Sequence, residues 1–294
     1  MLLYHEVREQ ARAPDDEVVP SVPVAGFEAQ LRRLRSRYDV VPPSQLLAAA
    51  RVRRRGERYP VAITFDDDAR SHVELAAPVL ERLRLPAAFF LTGASLRAPC
   101  AFWWERLQRA YDEGRDDLLA LPMLAGTRPH GTRRPPRELA RAVQALTPPE
   151  RDSVAAWLGD GLGPDPEGTG LRASDVRALA SAGFEIGFHT VRHDPLPSLD
   201  HEALARALVE GRAELAAAAG RSVTMIAYPH GLGDVRVACA ARESGYALGF
   251  EGGGRPVSAG VDPLRIPRIG TEASPSLQAL RLARSVIAAL RGRA

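Results

Sequence analysis

Three acidic residues in a row end a short apolar segment of this chain. Residues 61–63 read as a buried strand, and the pentapeptide Thr-Phe-Asp-Asp-Asp at positions 64–68 follows them directly. Adjacent carboxylates repel one another, and a buried carboxylate without a partner either costs several kcal/mol or takes up a proton. The cluster therefore predicts that a cation or a proton-transfer step uses these carboxylates at the mouth of a strand.

Two histidines follow a second strand-like segment much later in the chain. The segment covers residues 184–188, and His189 and His193 come after it, four residues apart. One helical turn or a tight loop would place both imidazoles on one face, with Cβ atoms ~5–6 Å apart. One carboxylate and two imidazoles make a three-ligand metal set that leaves a position open for water or substrate. The residues alone also allow an iron facial triad or a metal-free Asp–His pair.

The net charge and the cysteine content of the chain indicate which binding partners and which cellular compartment to expect. The 294 residues include 39 basic and 36 acidic side chains, so the net charge of +3 gives no reason to expect a nucleic-acid partner. Cys100 and Cys239 form no Cys-X-X-Cys pair, which favours a reducing compartment. No signal peptide is visible, and no apolar run approaches the ~20 residues of a membrane span. We therefore expect a cytoplasmic protein without a transmembrane segment, of open oligomeric state.

Short apolar runs alternate with helical patterns along the chain. Strands are predicted at residues 1–4, 39–42, 60–65, 86–91, 184–188, 223–228, 246–250 and 264–269. This alternation predicts parallel strands joined by helices, and seven or eight such units fit an α/β barrel better than an open sheet. The acid cluster and the histidine pair would then both lie at C-terminal strand ends, where such barrels place their active sites.

Residues 97 to about 170 interrupt the alternation. A segment of this length is too long for a bare loop, and it contains a helical pattern over residues 147–158. We predict a single domain over residues 1–294, with a mostly helical insertion at about 97–170 beside the mouth of the barrel.

Three motifs carry a family resemblance: Thr-Phe-Asp-Asp at 64–67, His-Thr-Val-Arg-His at 189–193 and Ala-Tyr-Pro-His-Gly at 227–231. Together they resemble the polysaccharide deacetylase family, the NodB-like homology domain of carbohydrate esterase family 4. The resemblance runs to about residue 270 and implies a deformed (β/α) barrel of seven or eight parallel strands. It also implies a hydrolase that removes the N-acetyl group from a sugar, acting on a carbon–nitrogen bond other than a peptide bond.

The same resemblance implies roles for four residues. Asp66 is the general base, and Asp67, His189 and His193 bind a divalent metal, usually zinc. Such a metal lowers the pKa of a water toward ~7, and a neighbouring carboxylate can take the remaining proton. Because adjacent strand residues point to opposite faces, both aspartates can share one site only if the chain turns there.

The chain departs from the family pattern at the arginine that steadies the catalytic aspartate. Ala227 stands at that position, and Arg265 or Arg268 is available to replace it. Asp68 also stands where glycine is usual after the acid pair. Of the two arginines, Arg268 is the one we predict to be catalytic.

The late Leu-X-His motif that provides the general acid in the family is not found. His230, His72 and His5 are the candidates that remain, and we predict His230 as the catalytic one. His72 and His5 are then predicted to line the substrate pocket. A backbone N–H in the loop that contains Tyr228 and Pro229 is expected to stabilise the oxyanion, which makes this loop part of the substrate site.

Two adjacent tryptophans, Trp103 and Trp104, open the insertion. They are expected either to pack the insertion against the barrel or to stack on a pyranose face. The predicted function is thus a metal-dependent sugar N-deacetylase acting on a short ligand. The alternatives are an amidohydrolase of a linear or cyclic non-sugar amide and a degenerate glycan-binding protein, although a free base at Asp66 argues against a mere binder.

Overall fold

Twelve short strands lie in the part of the chain that the structure describes. A computed structural model describes residues 1–120, 134–258 and 260–271. The strands are β1 (Leu2–Tyr4), β2 (Glu6–Arg8), β3 (Ser21–Pro23), β4 (Asp39–Val40), β5 (Pro60–Val61), β6 (Ile63–Asp66), β7 (Ala88–Leu91), β8 (Glu185–Phe188), β9 (Met225–Ala227), β10 (Leu248–Glu251), β11 (Ile266–Pro267) and β12 (Ile269–Gly270).

Eight of these strands form one parallel sheet in the order β11-β10-β9-β8-β7-β6-β1-β12. The two edge strands are consecutive in the chain and are separated only by Arg268, whose N–H donates to the Glu251 carbonyl at 2.9 Å. The next N–H, that of Ile269, donates to the Met1 carbonyl at 3.0 Å. One extended segment, residues 266–270, therefore lies between β10 and β1 and closes the ring.

Helices surround this ring and fill the connections between its strands. They are α1 (Val24–Arg37), α2 (Leu46–Val52), α3 (Ala77–Leu83), α4 (Trp103–Asp112), α5 (Asp116–Leu119), α6 (Pro136–Gln144), α7 (Pro148–Leu162), α8 (Ala173–Ser181), α9 (His201–Val209), α10 (Arg212–Ala219) and α11 (Val235–Glu243), with a π-helical turn at His72–Ala76 and 3₁₀ turns at Pro14–Asp16, Pro43–Gln45, Leu196–Ser198 and Pro229–Gly231. None of the described helices is long and apolar enough to cross a membrane.

The apolar core has two layers, one inside the ring of strands and one between the strands and the surrounding helices. Inside the ring, Phe90 and Phe250 pack edge to face at 5.0 Å between ring centroids. Phe90 fits there because the facing residue is Gly187, where a Cβ atom would lie 2.3 Å from the ring. Between strands and helices, Phe65 stacks on Phe89 at 4.8 Å, within a larger buried cluster. The barrel is thus a packed body, which fixes the positions of the strand ends.

The observed elements confirm the (β/α) barrel and most of the predicted strands. The exception is the strand predicted at 39–42, which pairs only with β5 in a two-stranded ladder outside the barrel. Its two observed residues are too few and too exposed to contribute to a barrel wall. The connection between β7 and β8 contains helices α4 to α8, of which α4 to α7 bury a separate apolar cluster. Residues 121–133 of the predicted insertion lie outside the described residues.

Candidate metal centre

The acid cluster begins at the last residue of a barrel strand, where the chain turns. Asp66 ends β6, and Asp67 has a φ of 71°, in the left-handed region that residues other than glycine rarely adopt. This turn redirects the Asp67 side chain, so that two adjacent carboxylates face one site. Thr190, His193 and His230 also have positive φ angles of 61°, 51° and 57°. Backbone strain of about 1–3 kcal/mol per residue is therefore concentrated around the strand ends.

Asp68 holds this turn in place. Its carboxylate accepts hydrogen bonds from the Thr92 N–H at 2.8 Å and the Thr92 hydroxyl at 2.6 Å, and another from Ser95. Asp68 is buried, and Thr92 follows directly after β7. The aspartate that replaces the usual glycine thus anchors the Asp67 turn to the neighbouring strand end.

The two histidines approach the acid cluster from β8. His189 follows the last residue of that strand, and its Nδ1 donates to the Ala227 carbonyl of β9 at 2.8 Å. Because Nδ1 carries the proton, the Nε2 lone pair of His189 is free to bind a metal. The left-handed turn at His193 brings the second imidazole back, and the two Nε2 atoms lie 3.2 Å apart.

Asp67, His189 and His193 together form a cluster that could hold a cation. Asp67 Oδ1 lies 3.6 Å from Nε2 of His189 and 3.4 Å from Nε2 of His193. Two atoms bound to a tetrahedral zinc at ~2.0–2.1 Å are separated by about 3.4 Å, so the three observed separations match the edges of such a site. Asp67 Oδ1 is also buried without a hydrogen-bond partner, which a metal ion would correct. The residues present therefore fit a divalent cation.

Asp66 stands beside this cluster, paired with an arginine from the far end of the chain. Arg268 donates two hydrogen bonds of 2.6 Å, one to each carboxylate oxygen of Asp66, and both side chains are buried. Burial alone would raise the pKa of Asp66, but Arg268, followed by His189, lowers it below its usual range. Arg265 instead pairs with Glu251. Of the two arginines considered from the sequence, the structure therefore brings Arg268 to the aspartate.

Replacing Arg268 with methionine is expected to destabilise the protein by about 3–5 kcal/mol, because it leaves the Asp66 carboxylate buried without its partner. Since the pKa of Asp66 is lowered in the folded state, the stability from this pair is present above the unfolded-state pKa of ~3.9 and is lost as pH falls through the folded-state pKa. The difference between the two proteins should therefore shrink in acid. Chemical denaturation at several pH values measures it.

The matched control for this prediction is Arg265→Met, since Arg265 is about one third exposed and its partner Glu251 also pairs with Arg255. A comparable loss of stability in both variants would contradict the special role of the Arg268 pair.

The loop after β9 contributes His230 to the site. The His230 ring lies 4.6 Å from the His193 ring, centroid to centroid. Burial, followed by the charges of His189 and Arg151, lowers the pKa of His230 to about 4. Tyr228 itself does not contribute as expected from the sequence, whereas a contact of Pro229, or of an N–H elsewhere in this loop, with substrate stays a prediction. The Tyr228 N–H donates to Phe250 and its hydroxyl to Leu264, so both groups face the barrel and are unavailable to an oxyanion.

His72 and His5 lie next to each other, but only His5 reaches the candidate pocket. His72 is fully buried, with its ring 5.3 Å from those of Phe65 and Phe89, and its Nε2 bonds to the His5 carbonyl at 2.7 Å. The prediction that His72 contacts substrate is therefore wrong, because its π-helical turn points it into the core. Its contact holds the backbone of His5, which lines the pocket with Asp67.

The two tryptophans also divide their roles. Trp104 lies 4.6 Å from the His193 ring and stacks on Phe102 at 4.4 Å, centroid to centroid. It lines a cavity of about 400 Å³ that opens beside Asp67. Trp103 is buried in the apolar cluster of the insertion and does not line that cavity. Both tryptophans are thus part of the insertion core, and only Trp104 also reaches the site.

Two buried ionisable residues, Glu105 and Arg151, had no role in the sequence analysis. Glu105 lines the cavity, and burial raises its pKa to about 8, so that it is largely uncharged at neutral pH. Arg151, on α7, is buried and its charge acts on His230. Neither residue belongs to a recognisable motif. Both lie on helices of the insertion, and the spacing of residues in the sequence does not indicate where those helices pack.

Solved structures of deacetylases share this fold. The deacetylase PplD of Streptococcus pyogenes, solved in complex with acetate, matches with a TM-score of 0.61 and 16% identity, over 97% of this chain and 96% of that chain. IcaB from Ammonifex degensii matches with a TM-score of 0.60 and 18% identity, over 97% and 95%. The de-N-acetylase from Aggregatibacter actinomycetemcomitans matches with 0.60 and 16%, over 95% and 98%. At these identities the likeness concerns the fold alone.

The sequence itself matches one family. No curated protein sequence matches the chain significantly. The sequence model of the polysaccharide deacetylase family, however, matches residues 53–118 and 156–249, more than half of the chain. The unmatched interval between them falls within the insertion that carries α6 and the start of α7. With the barrel and the family match in agreement, the chain belongs to the polysaccharide deacetylase family.

Proposed function

We propose that this protein is a metal-dependent hydrolase that removes the acetyl group from an N-acetylated sugar. The observation that carries the proposal is the arrangement of Asp67, His189 and His193 around a single point, with the separate carboxylate of Asp66 beside it. His189 Nε2 lies 3.7 Å from Asp66 Oδ2, so the base and the ligand set face the same space. A protein that only bound glycans would have no use for this base.

The roles of the side chains follow from their positions. Asp67, His189 and His193 would hold the divalent cation, expected to be zinc, which supplies a water of lowered pKa and polarises the acetamide carbonyl. Asp66 takes the proton of the attacking water, and its lowered pKa keeps it ionised at neutral pH for this task. Arg268 positions Asp66, because its two hydrogen bonds orient the carboxylate.

The leaving amine needs a proton after the carbon–nitrogen bond breaks. His230 is unprotonated at neutral pH, and a cation at the neighbouring ligands would lower its pKa further. Asp66 already holds the proton taken from the water. We therefore assign the return of this proton to Asp66, and a contact with the bound substrate to His230, which lies at the edge of the ligand set.

The size and walls of the cavity support a short ligand. At about 400 Å³ the cavity is at the lower end of the ~300–1,000 Å³ range of small-molecule sites. Its wall combines the aromatic face of Trp104 with the polar side chains of Glu105 and Gln108, a mixture that suits a sugar ring. A sugar of one or two rings is the expected substrate.

Trp104→Ala is expected to raise KM about three- to tenfold, because the loss of one aromatic contact usually weakens binding by about that factor. Trp103→Ala is the matched control. Both tryptophans belong to the same buried cluster, so both variants should lower the melting temperature, but only Trp104 lines the cavity and only its loss should raise KM. Steady-state kinetics on an N-acetylated oligosaccharide series measures both effects. A kcat/KM that climbs steadily from disaccharide to hexasaccharide would show an extended groove and contradict the short-ligand assignment.

Metal analysis of the purified protein, followed by an acetate-release screen, tests the proposed function itself. Acetate release from N-acetylhexosamine compounds by zinc-loaded protein is the expected result. If none of them releases acetate while a ureide or imide is hydrolysed, the alternative amidohydrolase is correct. The cytoplasmic location remains a prediction from the sequence, and cell fractionation checks it.

A further inference from the structure

Exposed arginines without ion pairs are concentrated at one end of the barrel. They lie in the C-terminal parts of α1 and α2, in the loop after α2 and directly after α3. Within the described part of the chain no carboxylate pairs with their guanidinium groups, although most of the other described arginines have such a partner. This group, called the basic end below, consists of Arg33, Arg37, Arg51, Arg54, Arg55 and Arg84.

Two hydrogen bonds hold the segments of the basic end side by side. Arg58 Nη1 donates to the Arg35 carbonyl at 3.1 Å, which joins the loop after α2 to the end of α1. Arg35 Nη1 donates to the Leu83 carbonyl at 3.2 Å, which joins α1 to the end of α3, next to Arg84. The unpaired arginines therefore belong to one surface and are not scattered over the molecule.

The basic end lies opposite the proposed metal centre. Residues 53–59 lead into β5 and β6, and Arg84 comes shortly before β7, so both are at the N-terminal ends of barrel strands. Asp67 and His189 instead follow the C-terminal ends of β6 and β8. In a parallel barrel these are opposite faces. A partner bound at the basic end would therefore leave the cavity beside Asp67 accessible.

Local structure explains only part of this charge. Arg37 and Arg51 lie in the last turns of α1 and α2, where a cation interacts favourably with the helix dipole. Arg54 and Arg55 lie beyond the end of α2, and both side chains are exposed. Like charges this close repel one another, and nothing in the described chain compensates them. An anionic partner would.

An apolar side chain projects from the middle of this charge. Val52 is 77% exposed, the most exposed large hydrophobic side chain among the described residues, and it ends α2 between Arg51 and Arg53. Clustered arginines bind the phosphates of nucleic acids or of anionic lipids. Of these two partners, a bilayer also offers an apolar layer in which such a side chain can be buried. The combination favours a lipid surface.

We propose that the basic end docks this protein onto the surface of an anionic bilayer, with the arginines against lipid phosphates and Val52 at the acyl boundary. Guanidinium groups bind phosphate oxygens strongly, and each arginine near such a surface strengthens binding about fivefold. The inference goes beyond the proposed function and does not depend on it, because no residue of the metal centre takes part.

Co-sedimentation of the full-length protein with lipid vesicles tests the proposal. One set of vesicles is phosphatidylcholine alone, and the other also contains phosphatidylglycerol as the anionic lipid. The protein is expected to bind the anionic vesicles about tenfold or more tightly than the neutral ones. This preference should fall as the salt concentration rises, since salt screens the attraction between the arginines and the lipid phosphates.

A variant that combines Arg51→Gln, Arg54→Gln and Arg55→Gln should bind the anionic vesicles about a hundredfold more weakly, because it loses three contacts of about fivefold each. The matched control removes the same charge from exposed arginines that pair with carboxylates elsewhere on the surface, and it should bind nearly as wild type does. Its substitutions are Arg97→Gln, Arg172→Gln and Arg206→Gln. Thermal denaturation shows whether both variants are folded.

Val52→Ser separates a lipid surface from a nucleic-acid surface. It keeps every charge and should weaken binding to the anionic vesicles about three- to tenfold, because a valine partly buried among acyl chains is lost. Binding of a short double-stranded DNA, measured in parallel, should be weaker than binding of the vesicles and should not respond to this substitution.

The proposal is wrong if neutral and anionic vesicles bind equally, or if the triple variant of Arg51, Arg54 and Arg55 keeps wild-type affinity for the anionic ones. DNA bound more tightly than anionic vesicles, with no effect of Val52→Ser on either, would assign the surface to nucleic acid and overturn it as well. Acetate release from a soluble N-acetylated sugar is a separate measurement. Its absence would refute the deacetylase activity without altering vesicle binding, so the two failures are distinguishable.

Discussion

Removal of the metal, or of one of its ligands, is expected to reduce hydrolysis of an N-acetylated sugar below detection. Chelation and His189→Ala should have the same effect, because without the cation no water of lowered pKa is available at neutral pH. The Nδ1 of His189 donates to the Ala227 carbonyl, which fixes the orientation of its ring. His189→Ala therefore removes a proposed ligand that is already held in position to bind the metal. Metal content and acetate release are measured on the same samples.

His201→Ala is the control for this prediction, since His201 is an exposed histidine on α9. It should keep both the metal and the activity. Restored activity on adding zinc to chelated wild type, but not to His189→Ala, would complete the expected pattern. Undiminished hydrolysis by metal-free wild type would rule out the assigned ligand set.

Asp66→Asn is expected to keep the metal and to lower kcat by about 10²–10⁴, the usual contribution of a positioned acid–base group. Asparagine is nearly isosteric but cannot take a proton, so binding of the sugar and KM should change little. The variant leaves Arg268 buried without a carboxylate, so its melting temperature must be measured and the assay run well below it.

Two further variants show whether the loss of kcat in Asp66→Asn is specific to Asp66. Asp152→Asn changes an exposed carboxylate that bonds to Arg192 and should leave kcat near normal. His230→Ala should lower kcat less than Asp66→Asn does, because His230 contacts substrate but does not carry the proton. A near-normal kcat in Asp66→Asn would contradict its assignment as base, and a larger loss in His230→Ala would return the acid role to that histidine.

The strand ends and their motifs could be predicted from the sequence because the relevant signals are local. The run before Asp66 and the spacing of His189 and His193 each lie within ten residues, and the barrel brings such strand ends to one face. The sequence supplied no physical reason for the preference of Arg268 over Arg265. The correct choice depends on which residue in or next to the closing segment faces inward, beside a strand about 200 residues earlier in the chain. Which of these side chains faces inward is decided only when the last segment pairs with its neighbours and closes the barrel.

The direction in which each side chain points explains the remaining differences between the sequence-based predictions and the structure. His72 follows the acid cluster closely enough to suggest a pocket residue, but its π-helical turn directs the ring into the core. Tyr228 lies in a motif, yet its hydroxyl bonds to Leu264 on the barrel side. Trp103 and Trp104 are adjacent on one helix and both help to form the insertion core, yet only Trp104 also lines the cavity. No pattern in the linear sequence distinguishes these outcomes.

The segment 266–270 has a consequence for the order in which the protein matures. It joins β10 to β1, so the ring stays open until nearly the whole described chain has been synthesised. The same segment carries Arg268, the partner of Asp66. Because domains acquire structure as they leave the ribosome, the early strands must wait for this last one. A nascent chain that already holds the three proposed metal ligands therefore still lacks an oriented Asp66, and the proposed hydrolytic activity should begin only when the barrel closes.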